Sequence, residues 1–191
     1  MAATIDIVNR ALGYLGEAFI LNIGDASPNA EKMRRLWPDA RDAVLRAHLW
    51  KCCRRRMRLP KLAERPAFGF AHAFQLPPDF LRLAETSPRR IPYQVEGNRI
   101  LADTAELSID YVAREENSEV FDSLLVEALA LKLAADAAYG STASGSLSES
   151  LEARYRRVLA EAAATDAREG NPHEPPPKGT WVSARRGRSC Q

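Results

Sequence analysis

Apolar positions recur at helical spacing near the beginning of the chain. They follow one another at three- and four-residue steps: Ile5, Val8, Leu12 and Leu15. Gly16 then supplies a stop signal, because glycine readily adopts the left-handed conformation that ends many helices. The pattern therefore predicts a first helix over residues 4–15.

A second helical pattern begins at Ser27-Pro28, where a serine can cap a helix that has proline in its first position. One face of it is apolar: Met33, Leu36, Trp37, Ala40, Val44 and Ala47. Pro38 lies inside the pattern and predicts a kink or a break just before it. We expect the helix to resume and to run to residue 59, where Pro60 ends it.

From Phe68 the period of the pattern changes to two. The alternating residues are Phe68, Phe70, His72, Phe74 and Leu76. This alternation predicts a strand, with the aromatic stripe packed on a core rather than used as a stacking platform. A short strand over 81–85, a hairpin of 91–95 with 99–102 around Gly97-Asn98, and a strand over 107–112 follow. We expect a small antiparallel sheet at 68–113, inserted into a helical protein.

Helical patterns return after the sheet. Residues 119–139 are apolar over most of the helix circumference, as in the centre of a bundle or an interface, and Asn117-Ser118 can cap them. Ser146 and Glu149 form a capping box for a last helix over 146–169. The fold class predicted is mainly α (α+β): one domain over residues 1–170, a helical bundle with an inserted β-sheet, followed by an extended arm over 171–191.

Composition agrees with a folded globular chain. Of 191 residues, 46% are hydrophobic and 27% are charged, and no apolar run approaches the length of a membrane span. The three cysteines are Cys52, Cys53 and Cys190, an odd number without paired spacing. We therefore expect a reducing compartment and no disulfide framework.

The sequence contains few residues arranged for catalytic chemistry. The sequence contains neither of the glycine-rich phosphate-binding motifs, its three histidines lie far apart, and Cys52-Cys53 lacks the spacing of a zinc site. His48 and His72 are better interpreted as packed side chains than as ligands. We predict no enzyme, with no catalytic residues, no metal and no cofactor.

The formal net charge of +2 conceals a strong segregation. Residues 115–136 carry six acids and one lysine, whereas residues 50–61 carry six basic residues and no acid: Lys51, Arg54, Arg55, Arg56, Arg58 and Lys61. On a helix, Lys51, Arg55 and Arg58 would share one face. Two interpretations stay open: a functional one, contact with phosphates or an electropositive rim, and a solvated helix end.

The last 21 residues combine a proline-rich spacer with exposed apolar and basic residues: Trp181, Val182, Arg185, Arg186 and Arg188. Trp and Arg dominate interface hot spots. We expect an arm that orders against a partner, the alternative being a disordered terminus.

Several stretches together resemble one family. Residues 36–50 (LWPDARDAVLRAHLW) resemble the second-helix signature of the tail tubular protein A family, the head-to-tail adaptors of short-tailed bacteriophages. Residues 68–82 (FGFAHAFQLPPDFLR) are similar to its aromatic strand and turn. Residues 93–101 with 109–111 match the hairpin that follows, and 121–135 the apolar helix. The chain departs from the family at His48-Leu49-Trp50, where members often have His-Pro-Trp, and at His72, where they have aromatics.

The resemblance, which spans about residues 5–165, implies a structural virion protein. Such adaptors form a dodecameric ring between the portal and the tail nozzle at one capsid vertex, and extend the DNA channel for genome retention and ejection. The implied partners are further copies of the chain, portal protein, tail nozzle protein and the double-stranded DNA in the lumen, with no membrane. The arm residues would bind portal, and Lys51, Arg54, Arg55 and Arg58 would lie at a subunit interface or the DNA channel.

Two other classes of function compete with this one. A small DNA-binding regulatory protein would use the basic helix 50–61 and would show steep salt dependence. A wall-degrading enzyme acting during infection would show turnover that depends on a specific acid.

Overall fold

A computed structural model describes residues 3–140 and 145–169 of the chain. Within them lie four helices and six strands, and the expected α+β fold class is confirmed. The helices are α1 (Thr4–Leu15), α2 (Pro28–Ala47), α3 (Ser123–Gly140) and α4 (Gly145–Arg168). The strands lie between α2 and α3: β1 (Arg54–Arg58), β2 (His72–Gln75), β3 (Phe80–Ser87), β4 (Tyr93–Glu96), β5 (Arg99–Ala102) and β6 (Ser108–Ala113).

The beginnings and ends of the helices follow their capping residues. Helix α1 has the predicted bounds and ends at Gly16, whose φ of 70° is left-handed. In α2 the Ser27 hydroxyl accepts from the Ala30 amide at 3.2 Å. Helix α3 begins at residue 123 rather than 119, because Asp122 accepts from the amides of Leu124 and Leu125 and acts as its cap.

At Pro38, where a kink or a break was expected, α2 is not broken but runs through the proline. The expectation for the end of the helix is wrong: α2 ends at Ala47 rather than at residue 59, and a 3₁₀ turn, Lys51–Cys53, follows. The basic run is therefore a turn and a strand, not a helix.

The strand β1 pairs antiparallel with β6, from Arg54 opposite Val112 to Arg58 opposite Ser108. All five of its residues are exposed, so its sequence carries no alternation of buried and exposed positions. Its conformation is fixed by backbone pairing with a strand 50 to 58 residues away, and the local sequence gives no sign of that pairing.

The β region contains two three-stranded antiparallel sheets instead of one. Their strand orders are β1-β6-β3 and β2-β5-β4. The aromatic stripe that begins at Phe68 enters a strand only from His72 onward. Phe74 is fully buried as expected, but Phe68 is 89% exposed, so the expected packing of the whole stripe on a core is wrong.

Two apolar cores result. The larger lies among the four helices, with α3 at its centre, and it also takes in Trp50, Cys53, Leu81 and Val112. The smaller is shared by the two sheets and includes Phe74, Ile100, Leu107, Ile109 and Tyr111. None of the described helices has both the length and the apolarity that a membrane span requires.

Candidate functional site

The basic residues singled out in the sequence meet at one edge of the sheet β1-β6-β3. Arg54, Arg55, Arg56 and Arg58 lie on β1, which pairs with a single strand among the described residues, and Lys51 precedes them in the 3₁₀ turn. We call this surface, formed by Lys51 and residues 54–58, the basic edge.

Asp110 on β6 is the main counter-charge of the basic edge. Its carboxylate accepts from Arg54 Nε at 3.0 Å and from Arg54 Nη2 at 2.5 Å, a two-bond pair of the kind that arginine forms best. Arg56 Nε donates to the same carboxylate at 3.3 Å. Asp110 is only 8% exposed, so one buried carboxylate holds two arginines of the edge.

Arg55 lies between two further carboxylates. Its Nη1 is 2.7 Å from Asp79 Oδ2 and its Nη2 is 2.9 Å from Glu115 Oε2. The hydrogen bond to Glu115 raises the pKa of the Arg55 guanidinium, which stays charged. Burial and a 3.1 Å hydrogen bond to Asp79 raise the pKa of Tyr111 to about 12, so Tyr111 stays a neutral donor.

The turn before β1 is held by α4. Asp166 accepts from the Lys51 backbone amide at 3.0 Å, and its other oxygen lies 3.0 Å from His48 Nε2 and 3.7 Å from Lys51 Nζ. The ammonium group of Lys51 is buried and, apart from that longer ion pair, makes no hydrogen bond within the described part of the chain. Asp166 therefore fastens the end of α4 to the junction between α2 and β1.

A surface cavity of about 510 Å³ lies beside the basic edge, lined by Lys51, Arg54, Arg56 and Asp110. Three cations and one carboxylate give it a positive balance that suits an anionic group. These cations already form ion pairs within the chain: Arg54 and Arg56 with Asp110, and Lys51 with Asp166. Arg58, farther along the edge, pairs with Glu106. The hypothesis of a DNA-binding helix over 50–61 is wrong as to its geometry, because these residues form a strand whose arginines bind carboxylates of the same chain.

His48 and His72, the two histidines in the described part of the chain, do not form a ligand cluster. His48 packs edge-on against Trp50 at 4.8 Å and bonds to Asp166, while His72 Nε2 lies 3.3 Å from Lys61 Nζ. Over residues 3–140 and 145–169, no group of three or more His, Cys, Asp or Glu side chains is arranged to hold a metal ion. The arm residues Trp181, Val182, Arg185, Arg186 and Arg188 lie outside the described residues.

Two exposed apolar regions went unnoticed in the sequence. In the loop between α1 and α2, Phe19 is 70% exposed and Leu21 is 96% exposed. At the free edge of the second sheet, Tyr93 and Val95 on β4 are 47% and 42% exposed. The carboxylates that pair with the basic edge were also missed in the sequence. They lie 24 to 115 residues along the chain from the basic residues that they bind, so no local pattern indicates the pairing.

Comparisons with known proteins gave no match: none of the protein-family models and none of the curated proteins matches the chain. The functional assignment therefore depends on the residues and the geometry described above.

Proposed function

We propose that this protein is a head-to-tail adaptor of a short-tailed bacteriophage. Copies of the chain form a ring, a dodecamer in the proposal, between the portal and the tail nozzle, and the ring extends the DNA channel for genome retention and ejection. The order and spacing of the sequence stretches at 36–50, 68–82, 93–111 and 121–135 support this family assignment.

The observation that carries the proposal is the presence of two different exposed apolar regions on one subunit. A ring is built by head-to-tail contact, which brings one surface of a subunit against a different surface of its neighbour. The loop with Phe19 and Leu21 belongs to the helical part, and the edge with Tyr93 and Val95 belongs to the sheet part. Because the two regions belong to different elements, one can serve as each of the two unlike surfaces that a head-to-tail contact requires.

Hydrogen bonds within the chain fix the conformation of the α1–α2 loop in the single subunit. The side-chain amide of Asn9 donates to the Ile20 carbonyl and accepts from the Ile20 amide, both at 2.9 Å. Asp25 accepts from the amides of Leu21 and Asn22. Such preorganisation lowers the entropy cost of binding, so two exposed apolar side chains on this loop suit a contact surface.

The basic edge has a secondary role in this proposal, because its arginines already bind carboxylates of the same chain. It provides a charged rim near a subunit contact or the DNA channel, not a site that binds phosphate tightly. The charges that stay most exposed are those of Arg56 and Arg58, whose side chains are 85% and 66% exposed.

The direct experiment measures mass by light scattering for the purified protein alone and mixed with portal rings of the same phage. We expect a small species alone and a ring of stoichiometric mass on the portal. Absence of any association, together with tight and salt-dependent binding to plain duplex DNA, would contradict the adaptor and favour a DNA-binding protein.

A surface variant refines this test. Leu21→Ser should leave the free energy of unfolding almost unchanged, because the side chain is 96% exposed, yet it should reduce ring formation on the portal. Val120→Ser, at a 45% exposed position outside both apolar regions, is the matched control and should assemble normally. If Leu21→Ser assembles as well as the control, the α1–α2 loop does not take part in the contact between subunits.

A truncation tests the arm. Removal of residues 171–191 should leave a folded protein that no longer docks on portal, since the anchors Trp181 and Val182 and the arginines Arg185, Arg186 and Arg188 are lost. Docking of the truncated chain with unchanged affinity would exclude the arm from portal binding.

A further inference from the structure

Two adjacent thiols lie at the junction between α2 and β1. Cys52 and Cys53 belong to the 3₁₀ turn Lys51–Cys53, and their sulfur atoms are 3.6 Å apart. Cys52 is exposed, whereas Cys53 is 1% exposed and packs in the helical core. An accessible thiol thus lies in contact with a protected one.

The contact between the sulfurs makes the two thiols chemically different. A hydrogen bond from Cys53 lowers the pKa of the Cys52 thiol, and the same bond, together with burial, raises the pKa of Cys53. Cys52 is therefore the more readily ionised of the pair, and thiolate is the form that reacts. Cys53 stays protonated beside it.

We propose that Cys52 and Cys53 form a modification site that reacts with peroxides and closes reversibly to a disulfide. This inference is independent of ring formation. Cys52, which is an exposed residue, meets the oxidant, and the buried Cys53 needs no solvent access, because its reaction partner is the neighbouring residue.

The reaction balances in two steps. The Cys52 thiolate attacks one peroxide oxygen, the O–O bond breaks, and the products are a sulfenic acid on Cys52 and a hydroxide or alkoxide ion. Cys53 then loses its proton and attacks the Cys52 sulfur, the S–O bond breaks, and water leaves. Two thiols have supplied two electrons to one peroxide. Two equivalents of a small thiol reverse the change by exchange and are oxidised to their own disulfide.

Reversibility follows from covalent geometry. Adjacent residues have Cα atoms about 3.8 Å apart across a trans peptide, which is shorter than the roughly 4.4–6.8 Å that disulfides prefer. The closed form is therefore strained and easily reduced. The same strain falls on the turn itself, which is closed by the Cys53 amide donating to Trp50 O at 3.1 Å and leads directly into Arg54 of β1. Oxidation should thus loosen the first pairs between β1 and β6.

The test uses the full chain carrying Cys190→Ser, so that the third thiol does not contribute. The protein is treated with hydrogen peroxide, the remaining thiols are alkylated, and the peptide that contains both cysteines is measured by mass spectrometry. We expect both thiols to disappear together, without a change in chain mass beyond the loss of two hydrogens, and to return after incubation with dithiothreitol. Faster amide hydrogen exchange at residues 54–56 should accompany oxidation.

Two variants separate the roles of the thiols. Cys53→Ser should accumulate a sulfenic acid on Cys52 that dimedone traps, because the resolving thiol is absent. In Cys52→Ser, the remaining thiol of Cys53 should react with peroxide at least about tenfold more slowly than the parent chain does, because Cys53 is buried. Circular dichroism checks that both variants fold, and the mass measurement on the parent chain decides the question without them. Sulfinic acid or a dimedone adduct on Cys52 in the parent chain, with Cys53 still alkylated, would overturn the proposal.

Discussion

The helical part and the sheet part of this molecule are stabilised in different ways. Among the described residues, the helical core contains 30 buried apolar residues and the core between the sheets contains 9. Both parts contain ion pairs, for example those of Glu127 with Arg10 and Arg154 among the helices. Those of the sheet part are concentrated on one strand, where Asp79, Asp110 and Glu115 bind the arginines of β1. Burial is non-directional, whereas these ion pairs require particular partners, so the helical part should tolerate similar apolar substitutions better than the sheet part tolerates changes of charge.

The largest expected effect is a cavity in the helical core. Leu129→Ala on α3 removes a fully buried side chain and should lower the free energy of unfolding by about 2–5 kcal/mol. Leu107→Ala, equally buried but in the smaller core, should cost about 2 kcal/mol, because the surroundings of a smaller core can relax further into the cavity. Urea unfolding measures both values. A loss at Leu107 that exceeds the loss at Leu129 would contradict the ranking of the two cores.

The next effect concerns the buried carboxylate of the basic edge. Asp110→Asn removes the charge that holds Arg54 and Arg56 and should lower the free energy of unfolding by about 2 kcal/mol. Glu106→Gln is the control: the pair with Arg58 is exposed on both sides and should contribute less than about 1 kcal/mol. Similar losses for both variants would show that burial of Asp110 adds nothing to its ion pairs.

The smallest effect compares one tyrosine from each part. Burial, together with a hydrogen bond to Glu127, raises the pKa of Tyr14 to about 12, and burial with a hydrogen bond to Asp79 does the same for Tyr111. A raised pKa means that the folded state favours the neutral phenol. The stabilisation is therefore complete below the unfolded pKa of about 10 and is lost as the pH rises toward about 12.

Each tyrosine can be removed in turn. Tyr14→Phe and Tyr111→Phe should each lower the free energy of unfolding by about 1 kcal/mol near neutral pH, and each should lose less stability than the parent chain between pH about 10 and about 12. Tyr93→Phe, at a half-exposed position, serves as the control. An ultraviolet absorbance titration, parent minus variant, in which the phenol of Tyr14 or Tyr111 ionises near the ordinary tyrosine pKa of about 10 would contradict the assignment.

Helices were predicted well wherever the signals were local. The apolar period of α1 and the left-handed Gly16 lie within one segment, and the predicted bounds agree with the structure. At Pro38, where a kink or a break was expected, α2 is continuous, and the packing of Met33, Trp37 and Val44 on both sides of the proline stabilises it there.

The sequence was least informative where partners are distant. Lys51, Arg55 and Arg58 have helical spacing, which predicted a helix. Because all residues of β1 are exposed, no alternation of apolar and polar positions indicated a strand instead. Asp110 lies 56 residues beyond Arg54, and Asp166 lies 115 residues beyond Lys51. The basic residues of the candidate site could thus be found from the sequence, but neither their conformation nor the carboxylates that bind them could.

The pairing of β1 with β6 has a consequence during synthesis. Arg56 leaves the ribosome 54 residues before its partner Asp110, which is about 3–11 seconds at a rate of roughly 5–20 residues per second. For that interval β1 is an unpaired strand, a form in which chains often aggregate edge to edge. Four arginines among its five residues repel the same strand of a neighbouring nascent chain. The charges that later bind carboxylates thus first keep newly made chains apart on the polysome.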